Sequence, residues 1–98
     1  MIRITYRWKV KKEDEAQFKA AWAATTTAIR ASTPGARGSV MLQSHQDPTQ
    51  FITMARWDTL ADWQAFWGAA KPPEMETMHA LAERLSVETF EEINDYTV

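Results

Sequence analysis

Five tryptophans stand in 98 residues, and three of them, Trp57, Trp63 and Trp67, fall within eleven positions. An indole presents a large flat apolar surface with a single N–H donor. Trp63 and Trp67, four apart, share one face if their segment is helical. Converging with Tyr6, Trp8 and Trp22, they would form a pocket for a flat aromatic ligand, with indole and phenol groups fixing its orientation. The other arrangement is a tryptophan-rich core, in which every indole N–H needs an acceptor. His79 follows Met78 at the edge of an apolar stripe. There it could carry a proton near neutral pH or ligate a haem iron, or simply be half exposed. His45, beside Gln46 and Asp47, reads as a surface residue.

Other chemistries lack their residues. The chain has no cysteine and two distant histidines, so no metal-site spacing is present. Ser32, Ser39, Ser44 and Ser86 lie outside any GxSxG context. Gly35 and Gly38 precede a strand instead of a helix, so they make no phosphate loop.

The elements that must position these residues follow from periodicity. Ile2, Ile4, Tyr6, Trp8 and Val10 alternate with Arg3, Thr5, Arg7 and Lys9, which predicts a strand over 2–10. Phe18, Ala21, Trp22, Thr25 and Ile29 recur at helical spacing, so a helix spans 13–33, stopped by Pro34-Gly35. A hairpin of strands 37–46 and 50–57 turns at Asp47-Pro48. In its second strand Phe51, Thr53, Ala55 and Trp57 share one face. A helix over 59–70, capped by Thr59 or Asp58, carries the stripe Leu60, Trp63, Phe66, Trp67 and Ala70. Lys71-Pro72-Pro73 interrupts it. A third helix runs from about 74 to 85 with Met75, Met78, Ala82 and Leu85 inward. A last strand covers 87–97.

The order is βαββαβ, an α+β ferredoxin-like fold with a four-stranded antiparallel sheet and the helices on one face. The opposite sheet face is left bare, and two subunits closing sheet on sheet would form a dimeric α/β barrel. Residues 1–98 read as a single domain, since a chain this short buries roughly 65% of its unfolded surface, enough for one modest core. Net charge is −2, from 11 basic and 13 acidic residues. That balance argues against a nucleic-acid partner. No run approaches the length of a membrane span, and the N-terminus has no apolar signal core, so a cytoplasmic protein is expected.

Three runs carry a family resemblance: Pro34-Gly35-x-x-Gly38-Ser39, Asp47-Pro48-Thr49-x-Phe51, and Ala55-Arg56-Trp57-Asp58 followed by Ala61-x-Trp63. With the βαββαβ order they resemble the antibiotic biosynthesis monooxygenase family of dimeric α/β-barrel proteins. The resemblance implies oxidation of a quinol or polycyclic phenol by O2 without metal or flavin, in a homodimer. In the family's polyketide oxygenases a tryptophan at the end of the third strand lies at the active site, and Trp57 matches it. A tyrosine six positions later is Trp63 here. An asparagine four positions before that tryptophan is Thr53. A basic residue on the last helix appears, with a two-residue shift, as His79.

The resemblance thus assigns Trp57 to donate to the substrate or to reduced oxygen, His79 to take or relay a proton, and Thr53 to orient the ring. Tyr6, Trp22, Trp63, Phe66 and Trp67 line the pocket. A haem-degrading branch of the family uses a first-strand asparagine, a second-helix tryptophan and a later histidine ligand. Here Tyr6 and Arg7 stand on the first strand, Phe66 or Trp67 on the helix, and His79 beyond. Haem binding is therefore one alternative, and a non-catalytic dimer that binds a small aromatic ligand is another.

Overall fold

The computed structural model describes residues 1–69 and 73–97, and of residues 73 and 74 the backbone alone. Strand β1 (Ile2–Val10) leads through a 3-10 turn (Lys12–Asp14) into helix α1 (Glu15–Ser32). Strands β2 (Ala36–Gln43) and β3 (Gln50–Trp57) follow, then helices α2 (Leu60–Gly68) and α3 (Pro73–Leu81), and strand β4 (Ala82–Glu91). The four strands form one antiparallel sheet in the order β2-β3-β1-β4.

Alternation along β1 decides the layers. Ile2, Ile4, Tyr6, Trp8 and Val10 are all buried on the helix side. Opposite them on β3, Phe51, Thr53 and Trp57 are buried on the same side. From α1, Phe18, Ala21 and Thr25 complete the packing, and Trp22 and Ile29 flank it. Each fully buried large side chain, such as Ile4 and Phe18, stabilises the fold by about 1.5–3 kcal/mol through loss of apolar surface to water.

The opposite face carries Val40, Leu42, Ile52, Met54 and Phe90 among charged side chains. Val40, Leu42, Leu85 and Phe90 are each close to half exposed there. Thr5, between Met54 and Glu88, is buried even on this side. Glu92 ties the corner of this face by accepting from Arg3 at 3.0 Å and from Arg56 at 3.2 and 3.1 Å.

Loop chemistry follows residue type. Asp47 Oδ1 accepts from the Thr49 backbone N–H at 3.0 Å, closing the hairpin turn. Thr59 caps α2, its hydroxyl accepting from Asp62 N at 3.1 Å. Gly35 and Gly38 have φ of +84° and +94°, a region that glycine enters without penalty.

The boundaries differ from the periodicity in several places. The third helix ends at Leu81, not near 85, and the last strand covers 82–91 instead of 87–97. Ala82 to Glu91 pair with Val10 back to Ile2. That ladder captures Ala82-Glu83-Arg84-Leu85, residues that favour helix when alone. The pairing skips Leu85 between Arg7 and Trp8, so Leu85 is the extra residue of a bulge and is 47% exposed instead of inward. The first hairpin strand stops at Gln43, with Ser44 to Gln46 in the loop. Helix α1 starts at Glu15 after the 3-10 turn. Leu60, placed in the α2 stripe by spacing, sits in the first turn and is 42% exposed. Ala70, Lys71 and Pro72 lie outside the described residues.

Candidate functional site

A cavity lies between the sheet and the helices. Tyr6 and Trp8 from β1 and Thr53, Ala55 and Trp57 from β3 form its floor. Trp22, Thr25 and Ile29 of α1 form one wall, and Phe66, Met75 and Met78 another. Its volume is ≈ 60 Å³. Pockets for drug-sized ligands run to about 300–1,000 Å³, so the interior admits a few waters or part of one ring. The cavity opens between α1 and β2, where Thr26, Arg30, Gly38 and Ser39 line both it and a shallow outer groove.

The five indoles are treated differently by their surroundings. Trp8 Nε1 donates to Thr53 Oγ1 at 3.0 Å. Trp63 Nε1 donates to the Tyr6 hydroxyl at 3.1 Å. Trp22 Nε1 donates to Ser39 Oγ at 3.4 Å, across the gap between α1 and β2. Trp67 stacks on Trp63 with ring centres 5.2 Å apart and carries Arg84 over its ring at 5.0 Å. Trp57 is 3% exposed and packs on Phe66 at 5.3 Å. Among the described residues its indole N–H meets no acceptor. Ser86 Oγ is the polar side-chain atom that is both sealed and unpaired there. Trp57 also lines the cavity.

Five of the eight residues predicted for the site line the cavity: Tyr6, Trp22, Thr53, Trp57 and Phe66. Trp63 stands behind Tyr6, and Trp67 lies between Trp63 and Arg84. His79 is exposed, outside the lining, with its ring 5.5 Å from that of Trp8. Burial raises the pKa of the Tyr6 hydroxyl, against the smaller lowering effects of the Trp63 hydrogen bond and the Arg84 charge. Tyr6 is therefore a neutral phenol at physiological pH. No group of three or more His, Asp or Glu among the described residues is arranged to hold a metal ion. No described helix is long and apolar enough to cross a membrane.

The family model for antibiotic biosynthesis monooxygenases matches residues 1–84. The chain belongs to the antibiotic biosynthesis monooxygenase family. None of the curated proteins matches it in sequence. Among solved structures it is similar to SnoaB of Streptomyces nogalater, a cofactor-independent oxygenase. Identity is 18%, coverage 97% of this chain and 95% of that one, and the TM-score 0.77. It is also similar to MhuD of Mycobacterium tuberculosis, a haem degrader solved with two haems in its active site. There the identity is 16%, the coverage 99% and 100%, and the TM-score 0.73. At these identities the likeness establishes the shared fold.

Within the antibiotic biosynthesis monooxygenase fold, sequence reasoning missed the polar part of the lining. Thr25 is 3% exposed and turns its hydroxyl back to Ala21 O at 2.8 Å. Thr26, Arg30 and Ser39 meet at the mouth only because α1 crosses β2. One signal was available: Thr26 and Arg30 are four apart and flank Ile29, so they edge the apolar stripe of α1.

Proposed function

We propose that this family member oxidises a small aromatic quinol or phenol with O2 and uses no metal or flavin. The observation that carries the reading is the buried Trp57 indole at the floor of an apolar cavity, whose N–H meets no acceptor among the described residues. The substrate gives up its phenolic proton, and the resulting anion supplies an electron to O2. One oxygen atom then enters a ring carbon as the substrate loses two hydrogens. The other oxygen leaves as water with those hydrogens. Trp57 donates to the oxygen on which negative charge develops, an arrangement that is strong where water is excluded. Thr53, its hydroxyl oxygen already accepting from Trp8, retains its own proton to orient the ring. The proton leaves to solvent through the cavity mouth, while His79 stands outside the lining, one ring beyond Trp8.

Haem fits poorly. His79, the histidine that would ligate the iron, lies outside the cavity lining. A passive ligand-binding dimer would use the same cavity and differs in consuming no oxygen. The protein is proposed to act as a homodimer through the bare sheet face, where Val40, Leu42 and Phe90 leave large apolar surface exposed.

Oxygen uptake by metal-free protein on a panel of anthrones and naphthoquinols tests the reading. Trp57→Phe keeps the packing on Phe66 and removes the donor, so uptake should fall about 100-fold. Uptake that is equal in the variant overturns the role of Trp57. Ligand binding without uptake across the panel favours the passive dimer.

A further inference from the structure

Arg30 stands apart from the other arginines. Arg3, Arg7, Arg37 and Arg56 each hold a carboxylate within 3.5 Å, and Arg84 lies over Trp67. Arg30 has no carboxylate or aromatic partner among the described residues. It occupies the last turn of α1 and lines both the cavity and the groove outside it. Its stem lies over Gly38, with Cδ 3.9 Å from where a Cβ would stand. Gly38 takes φ +94°, so the backbone that leaves this space open is one other residues rarely adopt. Beside the guanidinium, Thr26 and Ser39 supply hydroxyls, while the Thr27 hydroxyl donates to Ala23 O at 2.8 Å, and the groove they border measures ≈ 550 Å³.

We infer that this mouth is an anion subsite, and that the substrate is an aromatic acid whose ring edge enters the cavity while its carboxylate rests on Arg30. The inference rests on the aromatic-pocket reading above and adds the charge of the substrate. The volumes point the same way. The interior is too small for a polycyclic ring system, so the rest of the molecule must lie in the groove, where the Arg30 guanidinium stands without a carboxylate among the described residues. A guanidinium is suited to this task because its planar fork holds a carboxylate through two hydrogen bonds. Arg30 also complements the C-terminal end of the α1 dipole, a purely structural role that a lysine would keep.

Calorimetric titration of 2-naphthoate and its uncharged amide, 2-naphthamide, separates these roles. The acid should bind the native protein about three- to tenfold more tightly than the amide, a modest factor because Arg30 is exposed. Raising ionic strength should erase that preference. Arg30→Gln should weaken the acid by the same factor and leave the amide unchanged. Arg30→Lys should keep thermal stability and recover only part of the preference. Equal affinity for acid and amide in the native protein overturns the anion subsite while leaving the pocket intact. Loss of both ligands equally in Arg30→Gln assigns Arg30 to structure and overturns it too. Binding of neither ligand to the native protein overturns the subsite together with the pocket.

Discussion

Trp8 and Thr53 meet diagonally across the β1–β3 ladder, the indole nitrogen 3.0 Å from the threonine hydroxyl oxygen. Both are buried and both line the cavity. The bond satisfies a donor that would otherwise be stranded. Thr53→Val keeps the shape and removes the acceptor, so urea denaturation should show a loss of about 1–3 kcal/mol. Thr53→Ser should retain most of the stability. Equal midpoints for the valine variant and the native protein would contradict the bond.

Tyr6 predicts a pH dependence. Burial raises its hydroxyl pKa above the ordinary value of 10.0. The folded state therefore holds the phenolic proton at a pH where the unfolded chain has released it. Linkage makes stability fully present below about pH 10 and lost as pH rises through the folded value. Denaturation midpoints should fall above that pH in the native protein, and this component should be missing in Tyr6→Phe. The same variant removes the acceptor of the Trp63 N–H and should cost about 1–3 kcal/mol at neutral pH.

The bare sheet face predicts an assembly. Leu42 is 49% exposed on the edge strand β2, in register with Ile52. A glutamate there would place a charge in an apolar sheet-to-sheet contact and leave the opposite face of the sheet untouched. Light scattering should report a dimer for the native protein and a monomer for Leu42→Glu, with unchanged near-UV circular dichroism. A monomeric native protein at micromolar concentration would remove the dimer from the proposal.

Gly35 is constrained twice. Its φ of +84° suits glycine, and a Cβ at this position would collide with the Asp62 carboxylate. A left-handed non-glycine residue costs about 1–2 kcal/mol before any collision. Gly35→Ala should therefore destabilise by about 2 kcal/mol or more, since α2 must shift as well. Gly38→Ala meets only ordinary contact with Arg30 and should lose less. Thermal melts of the two variants give the order, and a reversed order would show that the Asp62 contact does not matter.

The sequence by itself determined the layering. Alternation along β1 placed Ile2, Ile4, Tyr6, Trp8 and Val10 on one side, and all five are buried there. Helical spacing placed Phe18, Ala21 and Thr25 toward the sheet. These are local properties: a period of two or 3.6 decides which side chains share a face, whatever the element later meets. The residues of the Trp57 region likewise carried the family in their order.

Tertiary structure alone decided where α3 stops, because the ladder of β4 with β1 outweighs the helical leaning of residues 82–85. It also decided the fate of each indole. The acceptors of Trp8 and Trp63 lie 45 and 57 residues away, and nothing in the local pattern separates these two from Trp57, which has none among the described residues. The meeting of Arg30 with Gly38 and Ser39 arises from the crossing of α1 over β2. Hydrogen bonds and cavities are relations between distant segments, so they exist only once the chain has closed on itself.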